Sequence, residues 1–235
     1  MLQPTLLTPD RALLTGLIDY AGLFPPASLD MAAGMAEFRE ARTGPNAWVV
    51  HRFLCPASRL QELAGYLAST MRTGEQFWSI GCIVDGPLGE SIAAAQDFEA
   101  EMAPGASTSA VEVRLRSAET ALGSASATDA VEGIADAVAT LGEATMAYVE
   151  VTPETAAADV AAIAEVAHQG RPVAAKIRCG GVTADAVPTS ASLAGVLVAA
   201  ATHDIALKAT AGLHHPVRRF DTDLGTETHG FLNLA

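Results

Sequence analysis

The sequence has 235 residues, half of them hydrophobic, and a formal net charge of −13 at pH 7. Its length lies within the range that a single α/β-barrel domain occupies. The acidic charge and the lack of any Lys/Arg cluster exclude nucleic acids and anionic membrane surfaces as partners, because both require a basic face. A small-molecule substrate is therefore the expected partner.

The sequence also predicts where the chain resides and what its cysteines do. The start, Met1-Leu-Gln-Pro-Thr, lacks the basic and apolar regions of a secretory signal. No stretch has about 18 uninterrupted apolar residues, the length that a membrane span needs. We therefore expect a cytoplasmic protein. Cys55, Cys82 and Cys179 are odd in number and far apart, which predicts buried thiols and not a disulfide framework or a metal knuckle.

The chain alternates strand-like apolar runs with alanine-rich helical runs, after a short helix that begins near Thr8-Pro9-Asp10. The predicted strands are residues 17–23, 48–55, 77–85, 111–115, 147–151, 173–179 and 205–210. The predicted helices between them are residues 29–42, 58–69, 91–102, 127–141, 154–168 and 191–202. This order is typical of parallel strands joined by helical crossovers.

Two features favour a closed barrel over an open doubly wound sheet. No GxGxxG or GxxxxGK[ST] motif follows the first strand, and charged residues occur within nearly every strand, which suits a barrel mouth. The fold class predicted is α/β, a TIM-type (β/α) barrel with an N-terminal helix, formed by residues 1–235 as one domain. Only residues 228–235 follow for an eighth unit, so the last βα unit should be short or missing. The resulting unpaired edge predicts association into a homo-oligomer.

Lys176 and Lys208 are the two lysines of the chain, and each lies within an apolar strand that ends in a glycine turn. Burial lowers the pKa of a lysine amine and makes the amine a better nucleophile or base. Both amines should therefore point into the barrel, close together, at a catalytic centre. The alternative is a structural role, in which Glu112 and Glu150 hold the two cations.

Side chains alternate along a strand, so charged residues two positions apart share the inward face. Glu150 is the third predicted catalytic residue. The residues predicted to bind substrate on these faces are Asp19, Arg52, Glu112, Arg114 and Arg178, with His51 as an alternative to Arg52. Such a mixture of ions fits either a catalytic network or a neutralised barrel interior.

The loops after the two lysine strands supply the other predicted binding residues. Gly180, Gly181 and Gly212 allow close backbone approach, including to a phosphate. His214 and His215 follow the second lysine strand, at the face where barrel active sites lie. Adjacent histidines diverge on an extended chain and no HExxH spacing accompanies them, so no metal site and no cofactor are predicted.

The stretch Lys208-Ala-Thr-Ala-Gly-Leu-His, with Lys176 on the preceding strand, resembles the paired-lysine strands of deoxyribose-phosphate aldolase and related Schiff-base aldolases. In that family one strand carries Lys-Thr-Ser-Thr-Gly and the next carries Lys-Ala-Ser-Gly-Gly-Ile-Arg. The resemblance covers these two strands and implies that Lys176 forms the imine while Lys208 activates it. This chain differs at His214, where the family has arginine, and its match to the family's strand aspartate is Glu112 or Glu150.

The whole chain resembles an uncharacterised family of bacterial (β/α)-barrel proteins. The shared motifs are Asp-Tyr-Ala-Gly-Leu-Phe-Pro-Pro-Ala at 19–27, Lys-Ile-Arg-Cys-Gly-Gly at 176–181, Lys-Ala-Thr-Ala-Gly-Leu-His-His-Pro at 208–216 and His-Gly-Phe-Leu-Asn at 229–233. This resemblance implies the barrel fold and no activity.

Three functions are consistent with these observations. The leading hypothesis is a class I aldolase-like lyase, or an isomerase, that acts on a small carbonyl compound, phosphorylated or not, through an active-site lysine. The second is a metal-dependent or acid/base enolising barrel enzyme. The third is a non-catalytic ligand-binding barrel whose interior ions are structural.

Overall fold

The computed structural model describes residues 9–71 and 73–234. Within them, seven parallel strands form one sheet whose spatial order equals their chain order. The strands are β1 (Ile18–Tyr20), β2 (Val50–Pro56), β3 (Trp78–Ile83), β4 (Ala106–Arg114), β5 (Met146–Glu150), β6 (Val173–Arg178) and β7 (Leu207–Thr210). The strand order never reverses, whereas in a doubly wound sheet it reverses at the switch point. The winding is that of a (β/α) barrel.

Helices connect the strands and pack on the outer face of the sheet. They are α1 (Pro9–Leu14), α2 (Met31–Thr43), α3 (Leu60–Thr70), α4 (Leu88–Met102), α5 (Leu115–Leu122), α6 (Ala127–Ala139), α7 (Ala156–Ala167) and α8 (Ser190–Thr202). Asp30 caps α2 by accepting a hydrogen bond from the Ala33 N–H at 2.8 Å. Such a cap satisfies one of the free donors at a helix start and stabilises the helix by about 1 kcal/mol.

The hydrophobic core lies between the outer face of the sheet and these helices. On α2 the spacing of Met31, Met35 and Phe38 puts all three on the buried face. The Phe38 ring makes an edge contact with Phe53 and a tilted contact with Trp78. Along β4 and β6 the outward residues are apolar and buried, as Val111, Val113, Ala175 and Ile177 illustrate. Because side chains alternate, the charged residues of the same strands are directed to the inner face.

The sheet does not close into a full barrel through backbone hydrogen bonds within the described residues. β1 pairs with β2 alone and β7 with β6 alone, so these two strands are the edges. The prediction of a closed TIM-type barrel is therefore corrected, because the described sheet is open between β1 and β7. What spans the space between the edges is an ion pair from Lys208 on β7 to Asp19 on β1.

The expectation of a short or missing last unit agrees with the described chain. After β7 it forms an antiparallel hairpin of β8 (Arg219–Asp221) and β9 (Thr226–Thr228) and no eighth parallel strand up to residue 234. The hairpin is anchored by the segment that follows it, where Phe231 N donates to His215 O at 3.0 Å. The predicted homo-oligomer stays a prediction.

Several boundaries differ from the predicted ones for local reasons. β1 ends at Tyr20 because the chain turns at once, with Phe24 N donating to Ala21 O. β4 begins at Ala106, within a Ser/Thr/Ala-rich run where the apolar signal is weak. The same run hid α5, which ends at Gly123 with a φ of 61°, a left-handed conformation that glycine adopts without strain.

The three cysteines are free and buried, as predicted. Cys55 and Cys82 are register partners on β2 and β3. Burial raises the pKa of Cys82 and of Cys179 to about 12, so neither is a reactive thiolate near neutral pH.

One segment is long and apolar enough to cross a membrane by length and composition alone. It is Ala184–Thr202, which includes α8, with a mean hydropathy of 1.4 and 17% of its window buried. Its apolar run is interrupted near the start by Asp185 and Pro188. A core helix of a soluble protein meets the same criterion, so this segment is weak evidence for a membrane span.

Candidate active site

The charged residues of the inner face lie in a layer near the carboxyl ends of β4 to β7. Backbone register puts Arg114 opposite Glu150, Glu150 opposite Lys176, and Lys176 opposite Lys208. These four residues therefore form one row across four neighbouring strands. Such a row of inward-pointing ions lies at the end of the strands where barrel active sites are built.

Lys176 is held by two carboxylates. Its Nζ lies 2.6 Å from Glu112 Oε2 and 2.8 Å from Glu150 Oε2. The side chains of Lys176 and Glu112 are 7% and 2% exposed, so the ion pair is shielded from water. Two carboxylates at ion-pair distance therefore surround this amine in the interior of the sheet.

Lys208 is held in the same way by a different pair of carboxylates. Its Nζ donates to Glu112 Oε1 at 2.6 Å and to Asp19 Oδ2. It also lies 4.8 Å from the centroid of the Tyr148 ring, within the range of a cation–π contact. Desolvation lowers the pKa of Lys208, but the charges of Glu112 and Asp19 and their hydrogen bonds outweigh it, so the pKa is raised above its ordinary value.

Glu112 therefore bridges the two lysines, one through each carboxylate oxygen. Glu150 differs, because Lys176 contacts its Oε2 while the nearest cation to its Oε1 is Arg114 Nε at 3.6 Å. No hydrogen bond to that oxygen occurs among the described residues. The Glu150 side chain is also the most exposed of the three network carboxylates, at 13% against 9% for Asp19 and 2% for Glu112.

Asp19 brings β1 and β2 into the network. Its Oδ1 accepts a hydrogen bond from Arg52 N at 3.1 Å, and Arg52 Nη1 lies 3.6 Å from Oδ2. His51 Nδ1 lies 3.7 Å from the same carboxylate, so the structure brings both predicted alternatives to it. Desolvation and the charge of Arg52 lower the pKa of His51, with Asp19 acting in the opposite direction.

Sequence reasoning missed the polar partners of Arg52. Its Nε donates to Ser109 Oγ at 2.9 Å, and Ser109 in turn shares a hydrogen bond of 2.6 Å with Ser79. Tyr148, which shares the inward face with Glu150, had no predicted role although it lies against Lys208. Serine on a strand carries no distinctive signal, and Ser109 lies where the register of β3 with β4 shifts, between the pairs Ile80–Thr108 and Gly81–Ala110.

Arg114 and Arg178 are the predicted site residues at the rim. The Arg114 side chain is 69% exposed, and Arg178 ends β6 with its side chain exposed to solvent. Arg178 is the register partner of Thr210, two residues beyond the Lys176–Lys208 pair toward the mouth. It has no carboxylate within 4.0 Å in the described part of the chain.

The predicted glycines are brought together by the loops after β6 and β7. A Cβ on Gly180 would lie 2.9 Å from Gly212 Cα, and Gly212 has a φ of +71°. Only glycine fits such a backbone contact without displacement. A Cβ on Gly181 would meet the Ala186 side chain at 2.7 Å, so the small size of Gly181 serves local packing.

The structure does not bring the predicted histidines into the network. His214 is exposed and His215 is partly exposed, and neither ring makes a hydrogen bond or ion pair with another described residue. The imidazole of His229 is buried and lies 2.7 Å from Pro188 O, where it ties the C-terminal segment to the loop before α8.

No group of three or more His, Cys, Asp or Glu side chains suited to hold a metal ion occurs in residues 9–71 and 73–234. The metal-dependent alternative therefore has no ligand set in this part of the chain. The carboxylates that come together, Asp19, Glu112 and Glu150, form ion pairs with lysine and arginine side chains.

Comparison with known proteins finds no family model and no curated protein that matches the chain. The catalytic domain of a hyperthermophilic chitinase from Pyrococcus furiosus shares 16% identity over 98% of this chain and 91% of its own, with a TM-score of 0.45. Catalytic-site mutants of active domain 2 of a thermostable chitinase from Pyrococcus furiosus, complexed with chito-oligosaccharides, share 15% identity over 98% of this chain and 90% of theirs, with a TM-score of 0.47. Likenesses at this level carry no argument about function.

The prediction of a lyase or isomerase that acts through a nucleophilic lysine is wrong. The physical reason lies in the site, where each amine is held by two carboxylates and the pKa of Lys208 is raised instead of lowered. An amine that stays protonated cannot attack a carbonyl group. The resemblance to the bacterial barrel family stays a prediction.

Proposed function

We propose that this chain is an enzyme that acts on a small polar molecule at the carboxyl-terminal mouth of β4 to β7. Glu150 serves as a general base that takes a proton from a bound water or a substrate hydroxyl. The amines of Lys176 and Lys208 stabilise negative charge beside it, and the raised pKa of Lys208 keeps that amine protonated. The position of the ion layer, at the strand ends where barrel enzymes bind substrates, supports a catalytic role.

The open Oε1 oxygen of Glu150 is the single observation that carries this proposal. Both oxygens of Glu112 accept short contacts from lysine amines, and both oxygens of Asp19 have donors. Glu150 uses Oε2 for Lys176 and leaves Oε1 without a hydrogen-bond donor among the described residues. A general base needs a free lone pair within hydrogen-bond reach of the proton that it takes, and Oε1 meets this need.

The lysines contribute to this chemistry as fixed cations. Lys176 holds one oxygen of Glu150, which fixes the direction of the other. A preorganised ammonium in a partly buried site stabilises an oxyanion that forms next to it far more than it would in water. Tyr148 and Asp19 help to fix Lys208 in turn.

The test is a search for turnover followed by one substitution. Small hydroxylated and carboxylated compounds would be incubated with the protein and followed by proton NMR. For any compound that is converted, Glu150→Gln should lower kcat by about 10²- to 10⁴-fold, the usual effect of losing a positioned base. The matched control is Glu154→Gln, an exposed carboxylate in the loop after β5, which should leave kcat unchanged. Full activity in folded Glu150→Gln would refute the role of Glu150.

The competing function is a non-catalytic ligand-binding barrel. One observation favours it, namely that Asp19, Glu112 and Glu150 are all paired with cations of the chain itself. Structural ion networks have this property. Saturable binding without conversion, and without exchange of ligand protons for solvent deuterium, would support this function over an enzyme.

A further inference from the structure

The inner face of the site carries more positive than negative charge, although the chain as a whole is strongly acidic. The three carboxylates of the network, Asp19, Glu112 and Glu150, are matched by three largely buried cations. These cations are Arg52, Lys176 and Lys208. Arg114 and Arg178 on the same inward faces add two further guanidinium groups, so these inward side chains comprise five cations and three carboxylates.

Both surplus guanidinium groups lie at the rim and have spare donors. Arg114 Nε is 3.6 Å from Glu150 Oε1, beyond hydrogen-bond distance, and its side chain is 69% exposed. Arg178 is exposed, and no described carboxylate lies within ion-pair distance of it. Each guanidinium presents a planar fork of donors that matches a carboxylate or a phosphate.

The two arginines flank the open side of Glu150. Arg114 ends β4 and Arg178 ends β6, and β5 with Glu150 lies between them. At the ordinary spacing of neighbouring strands, the backbones of β4 and β6 lie roughly 10 Å apart. Two long side chains from these positions can therefore reach one small anionic group above Glu150.

The loops beside Arg178 meet through two glycines. Gly180 and Gly212 touch backbone to backbone after β6 and β7, and neither has a side chain to project over the mouth. Glycine at these two positions allows a ligand to approach the backbone closely.

We propose that the substrate carries an oxyanion group, a carboxylate or a phosphate, which Arg114 and Arg178 bind at the rim. The anion neutralises the surplus charge and positions the reacting part of the substrate over Glu150 Oε1. This inference rests on the proposed function for the orientation of the substrate, with its reacting part over Glu150. The binding of the anion itself depends on the two arginines alone.

The experiment measures the binding of inorganic phosphate and of malonate to the whole chain by NMR titration of the arginine Nε–H signals. Both are probes of the shared chemistry, and the tighter one identifies the phosphate or the carboxylate as the source. The parent should bind one of them saturably in the micromolar to millimolar range. Arg178→Gln should weaken binding about 10-fold or more, and Arg114→Gln combined with it about 100-fold or more, since each removes a charge-assisted contact.

Two controls make the result decisive. Arg171→Gln changes a partly exposed arginine that precedes the amino end of β6 and pairs with Asp136, and it should leave binding unchanged. Glu150→Gln should bind the probe as tightly as the parent or more tightly, because a negative charge leaves the mouth. Intact anion binding with full turnover in Glu150→Gln would therefore refute the general base and leave this inference standing. Lack of saturable binding, or equal loss in Arg171→Gln, would overturn the inference.

Discussion

Glu112 is the residue that joins the two halves of the ion network. Its two oxygens lie 2.6 Å from the amines of Lys176 and Lys208, and its side chain is 2% exposed. Without this charge, two ammonium ions would face each other across a neutral group in a poorly solvated interior. Removal of one partner from a buried ion pair is costly because the other charge stays buried and uncompensated.

We therefore predict that Glu112→Gln lowers the free energy of unfolding by about 3–5 kcal/mol. Glu150→Gln should cost less, about 1–3 kcal/mol, since Lys176 keeps Glu112 and the site is more open to water. Urea unfolding of the two variants and the parent measures both values. Equal losses in the two variants would contradict the central position of Glu112.

A second residue-scale prediction concerns alkaline pH. The folded-state pKa of Lys208 is raised, so the folded protein binds the proton more tightly than the unfolded chain. This stabilisation is fully present below the unfolded lysine pKa of about 10.4 and is lost as the pH rises through the higher folded value. Arginine stays charged to higher pH.

Lys208→Arg should therefore lose stability at a higher pH than the parent does. Urea midpoints between about pH 8 and about pH 11 measure the difference, and the comparison of the two proteins removes the contribution of other groups that titrate in that range. A parent that already loses this stability below about pH 9 would show that the amine titrates early.

The partners of the lysines could be predicted only in part from the sequence. Alternation along the strands put Lys176, Glu112 and Glu150 on inward faces, and the alternative with Glu112 and Glu150 as ion-pair partners describes Lys176 correctly. The second partner of Lys208 is Asp19, at the far end of the chain. That contact depends on how the sheet curls, which local sequence does not encode. The charges of Glu112 and then of Asp19 raise the pKa of Lys208, against the expected direction.

At the scale of elements, β1 and β7 form an open seam that side chains span. β1 is three residues long and pairs with one neighbour, and Asp19 at its centre contacts Lys208 across the seam. Asp19 also accepts a hydrogen bond from Arg52 N on β2. This one carboxylate therefore fixes β1 from both sides.

We predict that Asp19→Asn loosens β1 while the centre of the sheet stays intact. Backbone amides of β1 should exchange with deuterium about 10-fold faster or more, because the charge-assisted contacts that hold the strand are worth at least 1.4 kcal/mol together. Amides of β4 should keep their protection. Asp97→Asn, an exposed position on α4, is the matched control, and equal effects of the two changes would refute the role of the seam contact.

The elements themselves were largely predictable because apolar runs and alanine-rich runs alternate so clearly. The misses occurred where this signal fades. α5 and the first half of β4 lie in a stretch rich in serine, threonine and alanine. There, register with β3 determines the strand, and such pairing is a tertiary effect that overrides local propensity.

At the scale of the whole molecule, charge is distributed unevenly. The chain carries a formal net charge of −13, yet the inner face of its sheet holds both lysines and three arginines. Sequence reasoning identified the barrel winding and the inward face on which the charged residues of the strands lie. It also predicted a short or missing last unit, but not that the segment after β7 forms a hairpin in place of a parallel strand.

The most direct test of this account uses the fact that the chain contains two lysines. In protein labelled with ¹⁵N-lysine, the side-chain nitrogens give two signals, and Lys208→Arg assigns them by removing one. A titration through alkaline pH should show Lys208 as an ammonium ion at neutral pH, with a midpoint above the ordinary value of about 10.4. A midpoint at or below about pH 9 would contradict the network of paired cations described here and the function proposed from it.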